Sequence, residues 1–382
     1  MRSWESIHRL IPDPGLSFQL AAREDGPADW FGRFGGYPQV FPRVLSEILA
    51  LVPLAHLTYW ATVTNALLIS LCALVVTTAI QGHSGLKIAI AAGLVMVGAF
   101  PAFEGLVGNI WSIRWVLLPT TCVVAASSIS KTRPIVSFVL FLVTGLSHAY
   151  IVIPAAAYIF RLYVDQDRKL WDSLLGIVLA STGLFQTFMF LNGPRQARLY
   201  GDSTIYWPWH DAGVYWWSVF LVPIVVSLLA VTLALSEIRE GNHVLSAPSL
   251  MAVQAVLLAS LAYGQLGIKS SPAVATVPLA ASALLVSSGQ VNKSKLRRAL
   301  TRILLTVVML GIFVLSARYY FASSYLTSGP MWSDVVANAL AQCRLPDVGR
   351  VQLTYFREGD FSNSELLSCD AVFEWNKWFF RR

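Results

Sequence analysis

Long apolar runs, cut by short loops rich in lysine and arginine, constrain this chain more than any other feature. They fall near residues 57–80, 87–103, 110–129, 171–192, 214–236, 247–266, 272–289 and 303–322. A run of about 20 apolar residues is what one helical crossing of a bilayer requires. The charge content agrees, since only 13% of the 382 residues are Asp, Glu, Lys or Arg, against roughly 25% in soluble domains. Soluble enzymes and disordered regulators are thereby excluded.

The stretch 134–164 is apolar but carries Ser147, His148 and Ala149 at its centre and basic residues at both ends. A single span would put one basic end outside. Two short helices turning at Ser147-His148 keep both ends inside, and broken helices of this kind are tolerated where they line a cavity rather than face lipid. The expected fold is therefore an all-α polytopic membrane protein of about ten transmembrane helices, one pair of them a short helical hairpin.

The net charge of +7 is not a nucleic-acid footprint, because of where it sits. Lys293, Lys295, Arg297, Arg298 and Arg302 share one loop, Lys131 and Arg133 another, and Arg161, Arg168 and Lys169 a third. That is the positive-inside pattern of cytoplasmic loops. It places 82–87, 130–134, 164–170, 237–246 and 289–302 inside, and 1–56, 100–110, 192–213, 267–272 and 323–382 outside. Three divisions follow: an extracytoplasmic segment 1–56 with a surface helix, a multi-span domain 57–322, and an extracytoplasmic tail 323–382 forming a small ordered cap. Met1 to Leu20 carries Arg2, Glu5, His8, Arg9 and Asp13 and is no span. An outer 1–56 implies either translocation by the first following helix or a preceding crossing absent from this chain, and the second is the favoured expectation.

Cys72 and Cys122 lie in apolar runs and read as small buried hydrophobes. Cys343 and Cys369 lie in the polar tail, and an extracytoplasmic tail would let them form a disulfide. No spacing resembles a zinc site, and no Ser-His-Asp set, phosphate-cradling Gly loop or dinucleotide fingerprint occurs.

The outer segments gather the groups that could do chemistry. The first offers Glu24, Asp25 and Asp29, then Gly35-Gly36-Tyr37-Pro38, then a helical pattern from Val40 to Leu54 in which Arg43 and Glu47 stand four apart on one face. That helix is too short to span and is expected to lie along the membrane surface. The second offers Glu104, Asn109, Arg114 and Trp115 at a membrane boundary, where ionisable groups are costly unless paired or in a wet cavity. A structural Glu104–Arg114 ion pair is the plainer reading of the same residues. The third carries Arg195, Arg198, Trp207, Trp209, His210 and the neighbouring aromatics. They form either an interfacial belt or a platform on which sugar faces stack. Lys269 in a short outer loop either snorkels or meets a lipid phosphate. His148, alone in an apolar setting, is more often structural than catalytic.

At these motifs the chain resembles the polytopic bacterial glycosyltransferases of the GT-C type, more narrowly a poorly characterised envelope group within or near that class. The resemblance rests on Gly36-Tyr37 with Pro42-Arg43 and Glu47, on Glu104, Gly108-Asn109 and Trp115, and on Ser328-Gly329-Pro330 with Trp332, Cys343 and Cys369. It implies a polyprenyl-phosphate-linked sugar as donor, an envelope glycan or lipid as acceptor, and an active site on the outer face. It also implies an acidic base from the first outer loop, here Glu24, Asp25 or Asp29. Asp29 or Glu104 would remove the acceptor proton, and Arg43, Arg114, Arg195, Arg198 or Lys269 would hold the departing phosphate. The class has a span before that loop and this chain has none. No cofactor is specified, and the need for a divalent cation stays open. Two rival functions remain: an O-antigen-polymerase-like or ligase-like enzyme, and a flippase or transporter for lipid-linked sugars. The spans are mostly clean for a transport path, with Asn65, Gln186, Gln254 and Gln265 the main interior polar groups.

Overall fold

The computed structural model describes residues 20, 22–23, 30–31, 33–34, 37–99, 110–127, 133–164, 169–192, 246–264, 271–289, 306, 310, 330–358 and 361–373. A two-residue antiparallel pair, β1 (Arg33–Phe34) and β2 (Tyr37–Pro38), leads into helix α1 (Val40–Ala50). Helices α2 (Leu57–Ser84), α3 (Leu86–Ala99), α4 (Arg114–Ala126), α5 (Pro134–Gly145), α6 (Val152–Val164), α7 (Leu170–Leu191), α8 (Ala247–Gly264) and α9 (Ser271–Gly289) form the bundle. Short 3-10 turns precede α2, α4 and α6. Helix α10 (Trp332–Gln342), strands β3 (Arg350–Glu358) and β4 (Phe361–Ser368), and helix α11 (Cys369–Phe373) complete the described chain.

The helical boundaries follow local chemistry. Helix α2 begins after Pro53 and stops at Gly85, whose φ of +79° suits a residue without Cβ. Pro134 occupies the first turn of α5, where a missing N–H leaves no gap. Asp172 in the first turn of α7 accepts the Lys169 backbone N–H at 3.3 Å. The structure is mostly helical. Among the described residues, two helices are long and apolar enough to cross a bilayer, Leu54–Ser84 and Leu170–Met189. Helices α3 to α6 are 14, 13, 12 and 13 residues long, short of the roughly 20 residues a crossing needs. The apolar runs 214–236 and 303–322 lie outside the described residues, apart from Thr306 and Leu310.

Large apolar side chains face outward while several polar ones are buried. Helix α2 turns Leu67, Leu71 and Leu74 outward, while Thr58 and Asn65 are buried. Leu184 on α7 is 72% exposed, while Thr182 and Gln186 are buried beside it. Helix α4 is buried along its whole length. Its Thr121 shares a 2.8 Å hydrogen bond with Thr144 of α5, and its Cys122 carbonyl accepts from Gln254 of α8 at 3.1 Å. Both Cys72 and Cys122 are buried free thiols.

The stretch 134–164 reverses direction as the sequence predicts. Helix α5 ends at Gly145, whose missing side chain lets Thr182 approach. Residues 146–148 turn, and α6 returns with Tyr158 edge-on to Phe141 at 5.3 Å. Legs of 12 and 13 residues are about 18–20 Å long.

The tail is a small folded unit with its own antiparallel hairpin, an element the all-α expectation lacks. Val351, Leu353 and Leu367 are buried on one face, with Ala339 of α10. Cys343 at the end of α10 and Cys369 at the start of α11 form a disulfide. Trp332 anchors the unit: it is 1% exposed, and its indole Nε1 donates to Leu54 O at 2.6 Å.

Candidate functional site

The connection from β2 into α1 lies across the end of the bundle where the hairpin turns. Val40 N donates to Leu146 O at 3.2 Å and Phe41 N donates to Ser147 Oγ at 3.0 Å. On the other side of the same strap, Gln186 Nε2 near the end of α7 donates to Pro38 O at 3.3 Å. Two distant pieces of chain, the hairpin turn and the end of α7, are thereby fixed to one five-residue segment, Tyr37–Phe41.

Arg114 opens α4 beneath this strap and is 4% exposed. Its Nη1 donates to the Tyr37 hydroxyl. The guanidinium carbon lies 5.6 Å from the Tyr37 ring centre and 5.2 Å from that of Trp115. Burying a cation costs several kcal/mol unless it is well partnered, and the two aromatic faces attract it through their quadrupoles.

His148 completes the cluster and is fully buried. Its ring stands edge-on to Trp115 at 4.5 Å and lies 5.3 Å from Tyr150 and 6.4 Å from Tyr37. Tyr150 N donates to His148 Nδ1 at 3.2 Å. Nδ1 therefore carries no proton, the imidazole is neutral, and Nε2 carries the N–H. Among the described residues, that N–H has no hydrogen-bond partner.

Other outer-segment residues stand nearby on α1. Arg43 and Glu47 lie four apart, both half-buried, as the helical spacing predicts. Burial raises the Glu47 pKa above its ordinary value, and the Arg43 charge partly offsets the shift. Arg23 donates to Val52 O, and burial lowers its pKa to about 10, which leaves it cationic at neutral pH.

The structure thus brings Arg114 and His148 together and keeps Arg43 and Glu47 on the adjoining helix. Glu24, Asp25, Asp29, Glu104, Asn109, Arg195, Arg198, Trp207, Trp209, His210 and Lys269 lie outside the described residues. Sequence reasoning did not assign Tyr37, Trp115, Tyr150 or Gln186 to the site. Tyr37 follows a Gly-Gly pair, a hairpin signal, and Gln186 is an amide inside an apolar run; both signals were readable, but their meeting was not. Among the described residues, no three His, Cys, Asp or Glu side chains gather to hold a metal. Chemically, the cluster offers a fixed positive charge, a neutral N–H donor and two aromatic faces.

Compared with protein-family models, curated proteins and solved structures, the chain matches none.

Proposed function

We propose that this chain is a multi-pass glycosyltransferase of the bacterial cytoplasmic membrane. It moves a sugar from a polyprenyl-phosphate donor to a cell-envelope glycan or lipid acceptor on the outer face. With the apolar runs at 214–236 and 303–322 included, the bundle makes about ten crossings in a GT-C-like arrangement. The observation that carries this reading is the buried Arg114 guanidinium, held by Tyr37 and Trp115 beside a neutral His148.

Several features support it. The exposed leucines of α2 and α7, with Thr58, Asn65, Thr182 and Gln186 buried, are what lipid demands. Segments expected outside, namely α1, the start of α4, the hairpin turn and α10, converge at one end of the bundle. The tail disulfide suits an oxidising, extracytoplasmic compartment.

In the reaction, Arg114 stabilises the charge that builds on the lipid phosphate as the sugar–phosphate bond breaks. A carboxylate among Glu24, Asp25, Asp29 and Glu104 takes the proton of the acceptor hydroxyl. Trp115 and Tyr37 present faces on which a sugar ring packs.

The test is transfer from a radiolabelled polyprenyl-phosphate sugar by the purified full chain in liposomes, compared with Arg114→Gln. Labelled product that disappears in the variant supports the enzyme. Labelled donor that crosses the bilayer unchanged makes the protein a carrier.

A further inference from the structure

Helices α6 and α7 are joined through the basic stretch that holds Arg168 and Lys169, and they pack side by side. Their exposed apolar stripes nevertheless cover different depths. On α7, Trp171, Leu174, Ile177, Leu184, Phe188 and Leu191 recur at helical spacing on the outer surface. Its 22 residues are about 33 Å long, a full bilayer core. On α6 the exposed stripe is Val152, Ala156, Ile159 and Tyr163. It runs the whole helix, yet 13 residues cover only about 20 Å.

Two glycines of α7 act as a ruler between these helices. Gly176 lies against Leu162 near the basic end, and Gly183 lies against Val152 and Ala155. The rungs match at the basic end, and α6 is used up at the level of Gly183. Beyond that rung α7 continues to Leu191, about 12 Å further. At the corresponding end of α6 stand the hairpin turn and the strap, where Phe41 N is bonded to Ser147 Oγ. The strap leads into α1, whose Arg43 and Glu47 are half-buried. A guanidinium and a carboxylate are costly in hydrocarbon, so the water boundary lies at the level of α1 and the strap. The apolar surface of α7 runs on past that level. Gln186 is bonded to Pro38 of the strap, and beyond it Phe188 and Leu191 are 62% and 73% exposed.

We propose that this chain thins the bilayer along α6. The boundary between water and lipid descends from the end of α7 to the hairpin turn, about 10 Å lower. The partner of the α6 stripe is therefore lipid of reduced span, since a bilayer meets a short apolar surface by local thinning. The inference rests on the membrane reading and not on sugar transfer. Its consequence is positional: phosphates of lipids beside α6 come to the level of the strap, where Arg114 is bonded to Tyr37.

Depth-dependent fluorescence quenching tests this. Val152→Cys and Leu184→Cys are made separately in the full chain carrying Cys72→Ala and Cys122→Ala, with the tail disulfide kept. Both positions are exposed, stand at matching rungs and take a nitrobenzoxadiazole label. The protein is placed in dioleoylphosphatidylcholine vesicles with a nitroxide either on the headgroup or far along the acyl chain. The Val152 label is expected about 10 Å shallower than the Leu184 label. It is quenched by the headgroup nitroxide, whereas the Leu184 label is quenched by the acyl-chain nitroxide. Equal depth for the two labels, or a deeper Val152 label, overturns the inference, because the bilayer is then no thinner at α6 than at α7. Failure of both nitroxides to quench either label removes the membrane reading itself, so the two failures are distinguishable.

Discussion

Both ends of the bundle bury polar side chains, but they do so differently. At the end opposite the strap, Asp172 is 3% exposed and is closed in by its neighbours. Tyr158 OH donates to its Oδ1 at 3.4 Å, and Lys169 N donates to its Oδ2 at 3.3 Å. Arg161, one turn on from Tyr158, donates to Ala125 O at 3.4 Å. At the strap end, the buried Arg114 guanidinium and the His148 imidazole are held among the rings of Tyr37, Trp115 and Tyr150. One end matches a carboxylate with hydrogen-bond donors, whereas the other sets a guanidinium against aromatic faces. The first arrangement ties helices together, and the second is the one we propose for the reaction.

Substitutions can break that contrast, and the largest effect is expected from the carboxylates of the outer segments. Asp29→Asn together with Glu104→Gln should lower sugar transfer about 10³-fold, measured with labelled lipid donor in membranes. Full activity in the double variant would remove Asp29 and Glu104 from the mechanism. Next comes the tail, which sits at the strap end through Trp332. Cys343→Ser opens a loop closed across 26 residues and should destabilise the tail by about 3 kcal/mol, seen as faster proteolysis between Trp332 and Phe373. A tail that resists protease equally well without the disulfide would show that the hairpin core suffices.

A smaller effect is expected at the closed end. Tyr158→Phe leaves one carboxylate oxygen short of a partner and should cost about 1 kcal/mol of stability, with transfer per folded molecule unchanged. If instead transfer falls while the melting temperature holds, the closed cluster is functional and the contrast fails.

The smallest effect is a pH slope from Glu47. Its pKa is raised in the folded protein, so folding favours the protonated form. Its contribution to stability is present below the unfolded pKa and declines as pH rises through the higher folded value. Glu47→Gln should flatten that part of the melting-temperature profile, and an unchanged slope would assign it to another group.

The sequence reveals the helices far better than their contacts. Apolar runs locate α2, α3, α4, α7, α8 and α9 to within a few residues, because exposed and buried positions of these helices alike are largely apolar. The turn in 134–164 was readable because Ser147 and His148 interrupt an apolar run with basic ends. The pairing of Cys343 with Cys369 was readable because the other two cysteines lie in apolar runs. The β3–β4 hairpin was missed: its buried Val351, Leu353 and Leu367 alternate with polar residues over only a few positions, too briefly to stand out in a polar tail. The cluster itself was only half legible. Arg114 and His148 were singled out as ionisable groups near a boundary, but Tyr37 lies 77 residues from Arg114. No local pattern encodes a meeting between an N-terminal strand and the first turn of a buried helix. The Gln186–Pro38 bond, spanning 148 residues, is of the same kind.

The bond from Trp332 to Leu54 joins positions 278 residues apart, and it sets an order of assembly. Leu54 is made early and Trp332 late, so during synthesis this bond can form only after most of the chain has been made. The strap end is then the last part of the molecule to be sealed. With the other 12 tryptophans replaced, Trp332 fluorescence would report the moment at which its indole meets Leu54.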